Sequence, residues 1–135
     1  MTNPLNKVPS QEKSPKETIL IIDDDKRILE SLKHFFGENK NIITAECHSV
    51  DEALKAIGDN DPGLIFLDNS LSGEGVDDGL EVVDQLEGQG IKIYSTTIND
   101  RVVPQYTERG IEMASKMDLS KIRSIIAEFT KNKKT

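Results

Sequence analysis

Only one cysteine, Cys47, occurs in the 135 residues. A lone thiol excludes an internal disulfide and suits a reducing compartment. Long apolar runs are missing too. No stretch approaches the ~20 residues that cross a bilayer, and the first residues carry no apolar core of a secretory signal. No membrane role is expected, and a cytoplasmic location is the default. Positive charge is scarce: 17 Lys and Arg stand against 24 Asp and Glu, a formal net charge of −7. A nucleic-acid surface needs a basic patch, so none is expected. The imbalance is uneven. Between Thr18 and Ser115 lie 20 acidic and 8 basic residues (−12), whereas Lys116 to Thr135 hold six basic and two acidic (+4). The basic end reads as a lysine-rich helix terminus favoured by the helix dipole. There is no internal repeat, and the length suits one domain with a sizeable core.

Two short apolar runs end in carboxylates. Thr18-Ile19-Leu20-Ile21-Ile22 leads into Asp23-Asp24-Asp25, and Leu64-Ile65-Phe66-Leu67 leads into Asp68. A third run, Ile111 to Ser115, leads into Lys116. Apolar runs of this length read as buried parallel strands. In an open parallel sheet their C-terminal ends share one edge, so the acids and the lysine converge there. Clustered carboxylates call for a divalent cation, and a nearby ammonium calls for an anion. Together they describe a site for Mg²⁺ and phosphate.

Residues 1–17, with three prolines and no periodicity, read as a disordered tail; residues 18–135 read as the folded domain. From Thr18 a strand–helix unit repeats five times. The strands are expected at Thr18–Ile22, Ile42–Ala45, Leu64–Leu67, Ile91–Thr96 and Ile111–Ser115. The first helix carries Ile28, Leu29, Leu32, Phe35 and Phe36 at helical spacing and stops at Gly37. Ser49 followed by Glu52 is a capping-box pattern for the second. Asp61-Pro62-Gly63 is a turn. A Gly/Ser/Asp-rich loop, Asn69 to Asp77, precedes the third helix, which ends at Gly88-Gln89-Gly90. The fourth is short, Arg101 to Arg109, with Pro104 inside. The fifth begins near Asp118. Strands alternating with helices give a parallel sheet covered on both faces.

With these residues placed, the chain resembles a response-regulator receiver domain of two-component signalling from Thr18 to about Thr130. In that family an acidic pair closes the first strand, a phospho-accepting aspartate the third, a Thr or Ser the fourth and a lysine the fifth. Here these resemble Asp23 and Asp24, Asp68, Thr97 and Lys116. Asp78-Gly79-Leu80-Glu81-Val82 is similar to the segment that follows the family's acceptor loop. The resemblance implies an α/β, doubly wound, five-stranded (βα)5 flavodoxin-like fold and a single-domain phosphorylation switch. It implies Mg²⁺, with Mn²⁺ as an alternative, held by Asp23, Asp24, Asp68 and the backbone carbonyl of Ser70. Asp68 would be the nucleophile, with Lys116 and Thr97 on phosphoryl oxygens. The chain would thus catalyse its own phosphorylation and dephosphorylation without being a conventional enzyme. Implied partners are a histidine kinase or histidine phosphotransfer protein and a downstream target, with homodimer formation compatible. Positions two beyond the acceptor and the threonine, Ser70 and Asn99, would tune hydrolysis; both are small and polar.

Several positions depart from the family. Met117 follows Lys116 where proline is usual. A cis bond before a non-proline costs ~3 kcal/mol, so a trans peptide is expected there. Bulky Ile98 follows Thr97 where a small residue is usual; if Thr96 is the functional hydroxyl, Thr97 fills that small position. The aromatic position of the fifth strand falls on Met113, leaving Tyr106 and Tyr94 as aromatic candidates. Asp25 is read as a helix start, and His34, His48 and Cys47 as structural residues. Two other readings compete. One is a receiver-like interaction module that is not phosphorylated, which Ile98, Met113 and Met117 favour and the intact acidic set and lysine oppose. The other is a haloacid-dehalogenase-like phosphatase, suggested by Asp23-x-Asp25, but only Asp118 and Glu128 follow Lys116 as acids.

Overall fold

A computed structural model describes residues 16–73 and 76–133. Residues 1–15 of the expected tail, Glu74 and Gly75 of the expected Asn69–Asp77 loop, and the last two residues lie outside the described residues. Five parallel strands form one sheet in the order β2-β1-β3-β4-β5. They are β1 (Ile19–Asp23), β2 (Ile42–Glu46), β3 (Leu64–Leu67), β4 (Lys92–Ser95) and β5 (Glu112–Met113). The helices are α1 (Lys26–Phe35), α2 (Val50–Asn60), α3 (Asp78–Gln85), α4 (Val103–Glu108) and α5 (Leu119–Lys133).

The central strands read as continuous apolar runs because both faces are covered. Alternate side chains of β1 and β3 enter different cores. Ile19, Ile21, Leu64 and Phe66 pack with Leu29 and Leu32 of α1 and Ile122 and Ile126 of α5. Leu20, Ile22, Ile65 and Leu67 pack with residues of α2, α3 and α4, including Ala53, Val82 and Tyr106. Winding reverses between β1 and β3, and the crevice at such a switch point opens at the strand C-terminal ends. Asp23 and Asp68 stand there.

Local signals set most boundaries. Asp25 caps α1, its side chain accepting the Arg27 N–H at 2.9 Å. The Ser49 hydroxyl accepts the Glu52 N–H at 3.1 Å, but the return bond of the capping box falls one residue early, from His48 N–H to Glu52 at 2.7 Å. Pro104 sits in the first turn of α4, where a missing N–H costs nothing. A 3₁₀ turn at Asp100–Val102 leads into that helix. β5 is shorter than expected. At its start the Ile111 N–H turns back to Tyr106 O at 2.9 Å, and at its end the Lys116 N–H steps to Thr96 O at 3.1 Å. No cis peptide occurs among the described residues, so Lys116–Met117 is trans.

Candidate functional site

β1 delivers Asp23 and β3 delivers Asp68, and both carboxylates are nearly sealed from solvent, at 2% and 6% exposure. Backbone bonds fix them at one level: Asp68 N–H donates to Ile22 O and Cys47 N–H donates to Asp23 O, each at 3.0 Å. The Lys116 Nζ bridges the pair, 3.0 Å from Asp23 Oδ2 and 3.3 Å from Asp68 Oδ1. Asp24 completes the group. One carboxylate oxygen from each of Asp23, Asp24 and Asp68 lies within 4.8 Å of the others. Among the candidates read from the sequence, these four are brought together.

The electrostatics of the group are unbalanced. Burial and the neighbouring charge of Asp23 push the Asp68 carboxyl up to about 6, against the pull of Lys116. Burial also raises Asp23, partly offset by the Asp25 N–H and by Lys116. Burial disfavours the Lys116 ammonium, but the two carboxylates more than compensate and hold its pKa above the usual lysine value. One ammonium does not neutralise three carboxylates. The donor set is all hard oxygen, with two of its members buried, and such a set suits Mg²⁺ or Mn²⁺ rather than a soft metal.

The two candidate threonines occupy different places. Thr96 N–H donates to Leu67 O at 2.9 Å, continuing the Leu67–Ser95 register and bringing Thr96, rather than Thr97, level with Asp68. Thr96 O also accepts the Lys116 N–H. Thr97 lies one step beyond, its hydroxyl oxygen accepting the Asn99 N–H at 3.1 Å. Asn99 in turn caps the 3₁₀ turn through Arg101 N–H at 3.0 Å. Ser70 is half-buried in the loop after Asp68. Ile98 and Met117 do not plug the site: they are 63% and 74% exposed. His34 and His48 are exposed and Cys47 is buried.

Sequence reasoning passed over the residues that hold the loop after Asp68. Asp78, at the first position of α3 and buried, accepts the N–H groups of Leu71 and Ser72 at 2.9 and 2.7 Å and the Ser72 hydroxyl at 2.9 Å. Asn69 is buried and bonded to Tyr106 and Asp77. Of the two aromatic candidates, Tyr94 stacks on Phe66 on the α1/α5 face, whereas Tyr106 reaches Asn69 in the loop after Asp68. Met113 is half-buried against the α2–α4 core. The Asp-Gly pair at 78–79 was the visible trace of this packing, but its reason lies in contacts between distant segments.

A family model for the response regulator receiver domain matches residues 19–126. No curated protein sequence matches the chain. Among solved structures, the response regulator TrrA of Thermotoga maritima in complex with Mg²⁺–BeF is similar, with 24% identity over 83% of this chain and 97% of its own, at a TM-score of 0.67. The receiver domain of NtrX from Brucella abortus shares 25% identity over 82% of this chain and 98% of its own, at a TM-score of 0.63. NtrX in complex with ATP matches 87% of this chain at 25% identity, but only 27% of that longer protein is covered. No helix among the described residues is long and apolar enough to cross a membrane. With its acidic edge at the β1/β3 switch point and a family match across most of its length, the chain belongs to the response regulator receiver domains of two-component systems.

Proposed function

We propose that the chain is a Mg²⁺-dependent phospho-acceptor whose Asp68 receives a phosphoryl group from a histidine kinase or histidine phosphotransfer protein and then alters binding to a target protein. The observation that carries this reading is the Lys116 bridge to both Asp23 and Asp68, set beside Asp24 in a buried acidic cluster. An Asp68 oxygen attacks the phosphorus of the donor; the P–N bond breaks, and its electron pair leaves with the imidazole. A divalent cation held there would offset the repulsion between two anionic reactants and would stabilise charge on the transferred oxygens. Asp23, Asp24 and Asp68 would hold it, with the Ser70 carbonyl completing the protein's share. Lys116 gives its ammonium to a phosphoryl oxygen. Thr96, level with Asp68, is the hydroxyl we assign to another, in place of Thr97. Water attack on the acyl phosphate returns the carboxylate and releases phosphate.

Intact mass after incubation with acetyl phosphate and Mg²⁺ tests the proposal. The expected result is a gain of one phosphoryl group that needs the metal, is absent in Asp68→Asn and decays measurably within a day. An unchanged mass with both small donors and a phosphorylated histidine donor leaves instead the unphosphorylated interaction module.

A further inference from the structure

A buried polar chain runs from the acceptor to the short helix α4. Asn69, the residue after Asp68, is 3% exposed. Its side-chain oxygen accepts the Tyr106 hydroxyl at 2.7 Å, and its amide donates to Asp77 Oδ1 at 2.9 Å. Its backbone oxygen takes the Gly79 N–H at 2.7 Å. Nearby, on β4, Ser95 Oγ accepts the Thr97 N–H at 3.4 Å. Asp77 lies 3.6 Å from the Arg101 guanidinium, just ahead of α4.

Tyr106 is completely buried, and it is the one buried residue of this six-residue helix. The phenol therefore anchors α4, and its far end rests on the acceptor loop rather than on apolar core. Gly79 makes the approach feasible. A Cβ at Gly79 would collide with the Tyr106 hydroxyl and stand 2.8 Å from Asp68 O and 3.0 Å from Asn69 Cα. A buried hydroxyl cannot drift from its partners without losing their bonds to no replacement, so such contacts are held or broken rather than stretched. A displacement of Asn69 thus changes the free energy of holding α4 in place.

We infer that Tyr106 is a positioning residue that links the state of Asp68 to α4 through the Asn69 side chain. The inference rests on the phospho-acceptor reading of Asp68. A phosphoryl group added at Asp68 shifts the adjoining Asn69, and the Tyr106 hydroxyl passes that shift to α4. The coupled element is then a helix-borne tyrosine, distinct from the Met113 position on β5.

Hydrogen exchange of residues 103–109 in the full chain, with and without acetyl phosphate and Mg²⁺, tests this, with intact mass read on the same samples. In the wild type, phosphorylation is expected to change α4 exchange roughly three- to tenfold, the worth of one net hydrogen bond in a local opening equilibrium. Tyr106→Phe is expected to gain the same mass while its α4 exchange changes less than about twofold. Asn69→Ala, which breaks the bond from the other side, is expected to lose the response likewise. A purely structural tyrosine would leave the phosphorylation response intact on a raised baseline, and that result overturns the inference. So does a phosphorylated wild type with unchanged α4 exchange. A wild type that gains no mass overturns the phospho-acceptor reading, and this inference with it.

Discussion

Removing the charge of Asp68 while keeping its shape is expected to stabilise the metal-free chain at neutral pH. The carboxyl is pushed from 3.8 to about 6, chiefly by burial and next by the charge of Asp23. A raised folded-state value means that the protonated form is the better-tolerated one. Its contribution is fully present below 3.8 and is lost as pH rises through about 6. At ~1.4 kcal/mol per pH unit, the ionised wild type forgoes about 3 kcal/mol at pH 7.5 relative to a neutral side chain. Asparagine supplies that neutral side chain. Lys116 loses one of its two partners in the variant but keeps Asp23 at 3.0 Å, so about 3 kcal/mol is a ceiling. For a chain of this length the gain corresponds to a rise in Tm on the order of 10 °C. Thermal unfolding of wild type and Asp68→Asn in a chelating buffer is the assay. The two curves are expected to converge near pH 4, separate between pH 4 and 6, and stay apart above pH 7. Under the proposed metal binding, Mg²⁺ at a hundred times its dissociation constant is expected to add about 2.7 kcal/mol to the wild type and less to the variant, narrowing the gap. A variant no more stable than the wild type at pH 7.5 without metal would refute the electrostatic account of the site.

Three further substitutions probe its supports. Gly79→Ala gains up to ~1 kcal/mol of helix propensity, but its methyl meets the Tyr106 hydroxyl and the Asp68 carbonyl; overpacking of this kind costs about 1–3 kcal/mol. Denaturant unfolding is expected to show a net loss that Tyr106→Phe partly restores, and a neutral or stabilising Gly79→Ala would contradict the close packing. Thr96→Ala is expected to slow acetyl phosphate labelling by about tenfold or more, the worth of a hydrogen bond to a charged group. Thr97→Ala is expected to cost about 1 kcal/mol of stability through the lost bond to Asn99 N–H while labelling stays close to wild type. The reverse pattern would return the hydroxyl role to Thr97.

The sheet and the acidic edge were legible because each is written locally. Ile19 to Ile22 and Leu64 to Leu67 are unbroken apolar runs, and only a strand buried on both faces needs one. Asp23 and Asp68 follow such runs directly, and Lys116 follows the mixed run Ile111 to Ser115, so placing the strands placed the residues. Short edge elements were less legible. Ile111, Ala114 and Ser115 have the composition of a strand, yet the Ile111 N–H is taken by Tyr106 O, a competition between segments that no local pattern records. The threonine register depended on one hydrogen bond, Thr96 N–H to Leu67 O. Adjacent threonines look alike in sequence and differ in the fold only by which one stands beside Asp68. The Asn69–Tyr106 contact spans 37 positions, and nothing in either residue's neighbourhood announces the other.

Those long-range contacts bear on how a charge-loaded site can act at a distance. With all groups ionised, Asp23, Asp24 and Asp68 against Lys116 leave a local balance of −2, being three negative charges and one positive. Buried charge of one sign costs the fold stability, and a dication removes that cost. The site is therefore tensioned by its own burial, and changes of ligand or modification alter its free energy by amounts comparable with a hydrogen bond or more. A change of that size matters elsewhere only if a connection can register it. Asp78 pins the far part of the loop after Asp68 with three hydrogen bonds to Leu71 and Ser72, which leaves Asn69 and Ser70, between Asp68 and that pinned part, to take up movement. Asn69 is also the residue that holds the hydroxyl of α4's buried anchor. The Asn69–Tyr106 bond gives the proposed coupling its direction, from Asp68 toward α4.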